Sequence, residues 1–179
     1  MLVLKESFAK DSRHLMHFLK VELPLVANKK TLVNACIQSA VTSGHTRPVD
    51  DNVFSAARIL ANCSLIFNSP PSVDTAYCDI CRRSTGKCDI NSAMYDPVEK
   101  KIYFDAELVG GLDWLDDRAT TNKVLEVVAL HEIAHWIHDV LLGKDEGAEV
   151  GIEFEKRAYS ETQRKDMSLL MKKVRNRQK

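Results

Sequence analysis

The sequence predicts an α+β fold that is mostly α-helical and contains a small β-sheet or hairpin. Apolar residues have helical spacing in the first third of the chain and again from residue 124 onward, and two short strand-like segments flank a turn within residues 92–104. A chain of 179 residues has room for one domain of fair size. We expect a single domain over residues 1–179, with a helical N-terminal subdomain at 1–68, a cysteine-containing loop at 69–91 and a core at 92–179.

Three helices are expected in the N-terminal subdomain. Residues 4–23 and 29–41 have apolar residues at helical spacing and are separated by Pro24. A third helix is predicted from residue 49, after Pro48, to residue 67. All three are expected to pack on the long apolar helix at residues 124–142.

The core begins with a predicted hairpin. Residues 92–95 and 101–104 have the pattern of short strands, and Asp96 and Pro97 between them indicate a turn. The apolar helix follows, and Thr120 or Thr121 is its predicted N-cap.

The most informative segment is the pentapeptide HEIAH at residues 131–135. His131 and His135 are one helical turn apart, so both imidazoles project from the same face and can bind one ion at about 2.0–2.1 Å. Glu132 lies about 100° around the helix, where it can reach a water on the metal without being a ligand. This spacing indicates a zinc site with Glu132 as general base.

The alternative interpretation is an ordinary helix with core or solvent-facing histidines. Residues 124–142 are apolar on nearly every side, so this helix should lie in the interior. Two imidazoles and a carboxylate would each cost on the order of 1–3 kcal/mol there if left unpaired. Since a shared metal ion would satisfy all three groups, the zinc interpretation is favoured.

A catalytic zinc usually has three protein ligands, and candidates for the third follow the apolar helix. Spaced at about 100° from residue 148, the next helix has an apolar arc with Glu155 near its centre. A carboxylate in a buried face has to be paired, protonated or metal-bound, so Glu155 is the predicted ligand. Glu149 and Glu153 fall on the polar side and are alternatives, as are Asp139 and Asp145. The arc comprises Val150, Gly151, Ile152, Phe154, Ala158 and Tyr159.

With these residues the chain resembles the zincin metallopeptidases, and among them the gluzincin type, whose third ligand is a glutamate on the helix after the HExxH helix. The interval from His135 to Glu155 is similar to the thermolysin-type interval of nineteen intervening residues. The metzincin extension is missing, because His138 and Leu141 occupy the positions of its glycine and last histidine. The resemblance covers residues 131–155 and extends back to about residue 92.

The resemblance implies a zincin-like core, one catalytic Zn²⁺ and a protein or peptide substrate. It also implies an edge strand that aligns an extended substrate, for which residues 100–108 are the candidate. Thermolysin-like enzymes have an aspartate four residues after the ligand glutamate, where this chain has Tyr159. Tyr159 either reflects a different arrangement around the ligands or donates its hydroxyl to a developing oxyanion. His138 is expected to support a ligand or to form a pocket wall rather than to coordinate.

The cysteines form a candidate second metal site. Cys78 and Cys81 have the CxxC ligand spacing, and Cys88 and Cys63 would complete four thiolates. A structural zinc there would stabilise a loop too polar to have its own core. Unligated thiols in a reducing cytosol, or a disulfide in an exported protein, are the alternatives.

Twenty-five basic residues balance 25 acidic ones, so no overall field favours nucleic acid or an anionic membrane. Residues 145–161 are mostly acidic and residues 164–179 mostly basic, the polarity expected of one long C-terminal helix whose charges complement its dipole. Nucleic-acid binding through the basic end is disfavoured but stays open. No apolar segment approaches the roughly 18 residues of a membrane span and no signal-peptide core is found, so a cytoplasmic location is expected, with leaderless secretion as an effector left open.

The predicted function is peptide-bond hydrolysis by a zinc-dependent endopeptidase with His131, His135 and Glu155 as metal ligands. Its expected class is a small protease that acts on a regulator, or a toxin-like protease that acts on a host target. The alternatives are a hydrolase of peptidoglycan or another non-protein amide, and a catalytically inactive adaptor stabilised by zinc.

Overall fold

The computed structural model of the protein describes residues 12–42, 72–76, 92–115, 117–142 and 149–176. These residues form mainly helices with one small sheet, which confirms the predicted α+β, mostly α, fold. The predicted third N-terminal helix at residues 49–67 lies outside the described residues, as do Cys63, Cys78, Cys81, Cys88 and Asp145. None of the described helices combines the length and apolar character needed to cross a membrane.

The N-terminal helical segment is continuous through Pro24. It comprises α1 (Arg13–His17), a π-helical turn (Phe18–Glu22) and α2 (Leu23–Val26), and it starts at Ser12, whose Oγ accepts from the Leu15 amide at 3.3 Å. The two predicted helices are separate, but the predicted break at Pro24 is wrong, because the first continues to Val26 and the second starts at Lys30. In the wider turn the Leu23 amide donates to the Phe18 carbonyl five residues back, and Pro24, which has no N–H, enters the first turn of α2.

The described part of the chain forms one sheet of three strands, in the order β1 (Ser72–Ala76), β3 (Lys101–Asp105), β2 (Ala93–Asp96). Strands β2 and β3 are antiparallel, with Ala93 opposite Phe104, which confirms the predicted hairpin. Its turn is fixed by Asp96, whose Oδ1 accepts from the amides of Val98 and Glu99 at 2.7 and 3.0 Å.

Two predictions about the sheet are wrong. Strand β1 runs parallel to β3 within the segment 69–91 that was predicted to be a loop. Because β1 covers one side of β3, the segment 100–108 contains the central strand and not an edge strand, and its last residues already belong to α4 (Ala106–Asp113). Among the described strands, β2 is the edge next to the HEIAH helix.

The HEIAH helix, α5 (Arg118–Leu142), forms the centre of the molecule and packs against α3 (Lys30–Thr42) and β2. Its end agrees with the prediction, but its N-cap does not. Asp117 Oδ1 accepts from the Thr120 amide at 3.2 Å and Asp117 Oδ2 accepts from the Thr120 hydroxyl, so the helix starts at least one turn before the apolar run. The core of this helix includes Leu125, Leu130, Ile133 and Ile137, all at most 1% exposed.

The C-terminal segment forms two helices, α6 (Val150–Ala158) and α7 (Glu161–Asn176), so the prediction of one long helix is wrong. Tyr159 is extended, with φ −132° and ψ 145°. Ser160 and Gln163 then form a reciprocal capping box: the Gln163 amide donates to Ser160 Oγ at 3.3 Å, and the Ser160 amide donates to Gln163 Oε1 at 2.9 Å. This break turns the chain at the end of α6, so that both helices border the same cavity as α5.

Candidate metal centre and cleft

A cavity of about 720 Å³ lies between α5, the outer edge of β2, α6 and α7. His131, Glu132 and His135 all line it, and the two imidazole centroids are 5.4 Å apart. The shared helical face expected from the HEIAH spacing therefore opens onto one cavity. Glu149 and Glu155 line the same cavity from the α6 side.

Glu132 is held by the backbone of β2. Its Oε2 accepts from the Tyr95 amide at 2.7 Å, and its side chain is nearly buried. The Asp105 amide donates to the Ser92 carbonyl at 3.0 Å, so in this antiparallel pair Ala93 and Tyr95 direct their backbone groups away from β3. The candidate general base is thus fixed at the outer edge of the sheet, a contact that the sequence does not reveal.

Tyr95 also joins β2 to α5 through its side chain. The Tyr95 hydroxyl donates to Asp139 Oδ2 at 2.6 Å, and Lys100 forms an ion pair with the same oxygen. Burial raises the pKa of Asp139, but the bonds from Lys100 and Tyr95 outweigh it and hold the pKa below its ordinary value. Asp139, which the sequence offers as an alternative third ligand, is therefore engaged outside the cavity.

Replacing Tyr95 by Phe is expected to lower the free energy of unfolding by about 1.5–3 kcal/mol, because it removes a buried hydrogen bond to a charged acceptor. Urea denaturation measures the change. Tyr103→Phe is the matched control: its hydroxyl donates to Glu99 at 2.5 Å on the exposed side of the hairpin, and its loss should change stability by only about 0.5 kcal/mol. Equal losses in the two variants would contradict a structural bond between Tyr95 and α5.

The Asp139 carboxylate should also make stability depend on pH. Because its folded pKa lies below its unfolded value of 3.8, its contribution is complete above that value and is lost as the pH falls through the folded pKa. We expect the free energy of unfolding to fall more steeply below about pH 4 in the wild type than in Asp139→Asn. Parallel acid limbs in the two proteins would show that Asp139 does not contribute.

His131 is held by α6 from two sides. Its Nδ1 is 2.7 Å from Glu155 Oε1, and Gly151 lies so close that a Cβ there would be 2.1 Å from both Cδ2 and Nε2 of the ring. Burial lowers the pKa of His131, but the hydrogen bond to Glu155 and the charge of Glu132 outweigh it, and the net pKa is raised. A helical wheel of the sequence places Glu155 on the buried face of α6, but it does not show which atom the carboxylate contacts.

The donor set suits a zinc ion, since two imidazoles of one helical face share a cavity with two carboxylates. In the part of the chain that the structure describes, no three His, Cys, Asp or Glu side chains are already placed to hold one ion. Glu155 contacts His131 instead, and Glu153 forms an ion pair with Lys156 at 2.7 Å outside the cavity. Glu149 is exposed at the start of α6.

His138 is seven residues after His131, but it does not line the cavity. Its Nδ1 donates to the Ala40 carbonyl of α3 at 2.7 Å, and its side chain is buried. It ties two helices together and does not line the cavity, contrary to its predicted place in a pocket wall.

Tyr159 lines the cavity, but its hydroxyl donates to Glu126 Oε1 at 3.4 Å. Burial and the charge of Glu126 raise the pKa of Tyr159, so the hydroxyl stays protonated. Glu126 also binds Lys29 and, at 2.7 Å, Lys123. The sequence contains a signal for this cluster, which our prediction missed: Glu126 is one of three carboxylates inside the apolar run and therefore needs partners.

A helix with two histidines and a glutamate beside a sheet edge, with further glutamates on the next helix, is typical of metallopeptidases. The chain matches the family model described as Metallopeptidase toxin 3 over residues 8–160, and it belongs to that family. No curated protein and no solved structure matches the chain.

Proposed function

We propose that the protein is a zinc-dependent endopeptidase of toxin type that cleaves peptide bonds in a protein substrate. The observation that carries the proposal is the placement of His131, Glu132 and His135 in one cavity, directly beside the outer edge of β2. Membership of a family of metallopeptidase toxins supports both the peptidase activity and the protein substrate.

His131 and His135 are the proposed metal ligands, and a carboxylate of the α6 segment is the proposed third ligand. Zinc, when bound, supplies Lewis acidity that lowers the pKa of water toward about 7 and polarises a carbonyl group. The imidazoles are on consecutive turns of a buried helix, so their separation is fixed by the helix itself.

Glu132 is the proposed general base. It takes a proton from the attacking water and later returns it to the leaving nitrogen of the cleaved peptide bond. The Tyr95 amide at 2.7 Å holds the carboxylate in a defined direction, which lowers the entropic cost of each transfer.

The substrate is proposed to bind as an extended segment along β2. The backbone groups of Ala93 point away from β3, and main-chain hydrogen bonds there would align the peptide next to Glu132. Helix α7 adds Met167 and Met171 to the cavity lining. Thioether side chains adapt to different partners, so we expect a preference for apolar substrate side chains rather than a single sequence.

Metal removal tests the proposal. Peptide libraries and intact proteins are incubated with zinc-loaded protein, with protein stripped by a chelator and dialysed, and with stripped protein given back one equivalent of zinc. We expect cleavage only in the first and third samples, read by mass spectrometry. Cleavage by the metal-free protein would contradict the proposal. A zinc-loaded protein that cleaves no peptide or protein would instead support the adaptor, and release of products from peptidoglycan alone would support the non-protein amide hydrolase.

A further inference from the structure

We infer that two glutamates of α6 have different roles in the proposed metal centre: Glu155 positions His131, and Glu149 is the third ligand. This division of roles rests on the proposed function and deepens it. It differs from the sequence-based expectation, in which Glu155 itself coordinates the metal.

Glu155 contacts Nδ1 of His131. This is the ring nitrogen that remains free to form a hydrogen bond when a metal binds Nε2. Glu155 Oε1 is 2.7 Å from Nδ1. A hydrogen bond donated by Nδ1 fixes the tautomer in which Nε2 has its lone pair available for a metal, and metal-binding histidines usually donate their other N–H in this way. The two ring nitrogens point in different directions, so an oxygen held on Nδ1 is not at the roughly 2.0–2.2 Å that a zinc bond on Nε2 requires.

The order of residues along α6 agrees with this orientation of the ring. Gly151 lies over the face of the His131 ring, nearest its Cδ2–Nε2 bond, since a Cβ there would be 2.1 Å from both atoms and 2.5 Å from Cε1. Glu155, one turn later, meets the Nδ1 side. Helix α6 therefore covers the Nε2 half of the ring face at Gly151 and reaches Nδ1 only at Glu155, so the start of the helix is the part nearest to a metal on Nε2.

Among the described residues, Glu149 is the carboxylate at that start. It lies two residues before Gly151, is exposed and lines the cavity together with His131 and His135. Its carbonyl oxygen accepts from the Glu153 amide at 3.0 Å, but its carboxylate caps no amide of α6 and makes no hydrogen bond or ion pair with another described residue. Glu153, the other candidate, is outside the cavity and paired with Lys156, so it serves as the matched control.

Zinc affinity separates the roles. Competition with a chromogenic chelator is measured on the full chain and on three variants, each checked for folding by circular dichroism. We expect Glu155→Gln to weaken binding by about 10–100-fold, the range for a partner that orients a ligand. Glu149→Gln should lose more than about 100-fold, and Glu153→Gln should bind as the wild type does. A larger loss for Glu155→Gln than for Glu149→Gln would overturn the assignment.

The nitrogen that binds the metal gives a second readout that a merely structural role of Glu155 would not move. Nitrogen-15 spectra of histidine-labelled, zinc-loaded protein should show His131 coordinated through Nε2 and protonated at Nδ1, and Glu155→Gln should weaken the Nδ1 proton signal. Coordination through Nδ1 would overturn the inference. A wild-type protein that binds no zinc would refute the proposed function and this inference together, whereas normal zinc binding with unchanged affinity in Glu149→Gln would refute the inference alone.

Discussion

Glu132→Gln is expected to reduce the rate of peptide hydrolysis by about 10²–10⁴-fold, the usual contribution of a positioned general base. Glutamine has nearly the same shape, and its amide oxygen can still accept from the Tyr95 amide that binds Glu132 in the wild type. What it loses is the ability to take a proton. We therefore expect lost catalysis with unchanged zinc content and unchanged thermal stability, measured as kcat, metal per chain and Tm.

Glu107→Gln is the control for this experiment. Glu107 is an exposed residue in the first turn of α4 and does not line the cavity, so its activity should equal that of the wild type. Full activity in Glu132→Gln would place the base elsewhere. A parallel loss of zinc and of catalysis would mean that Glu132 is a ligand.

Gly151→Ala has the second large expected effect, because the added methyl group would lie 2.1 Å from Cδ2 and Nε2 of His131 and 2.5 Å from Cε1. The ring is confined by its own helix and by Glu155, so either it or α6 has to move. Overpacking of this kind costs about 1–3 kcal/mol. We expect that loss of stability together with a marked fall in zinc affinity, because the displaced His131 ring is no longer positioned to bind the same ion as His135.

Gly111→Ala separates the two effects. A Cβ at Gly111 would lie 2.6 Å from Val174 Cγ1 and 2.9 Å from the Val174 carbonyl oxygen, where α4 meets α7. This variant should lose stability by overpacking but keep its zinc affinity. Equal zinc affinities in the two glycine variants would show that the contact between Gly151 and His131 does not position the metal ligand.

The parts of the fold that were predicted correctly depend on short-range patterns. The hairpin follows from Asp96 and Pro97 between two short strands, and α5 follows from a long apolar run. Strand β1 was missed because its five residues become a strand only through pairing with β3, almost thirty residues later. The predicted break at Pro24 rests on the rule that proline interrupts a helix. The π-helical turn before it places Pro24 in the first turn of α2, where its missing N–H breaks no helical hydrogen bond.

In the candidate site, too, short-range patterns were predictable from the sequence and contacts between distant segments were not. Helical spacing placed His131, Glu132 and His135 together, and the structure puts all three in one cavity. The helical wheel of α6 was less reliable: Ile152, assigned to the buried arc, is 39% exposed and lines the open cavity. A wheel gives the direction of a side chain but not the atom that it contacts, so neither Glu155 on Nδ1 nor Tyr95 on Glu132 was predictable from the sequence.

The central claim is that the two histidines of α5 bind the zinc of this cleft. The direct measurement is zinc per chain by atomic emission, on wild-type protein and on the His131→Ala, His135→Ala double variant, after exchange into zinc-containing buffer and removal of unbound metal. We expect one zinc fewer per chain in the variant, with circular dichroism unchanged. The same zinc content in both proteins would contradict the claim.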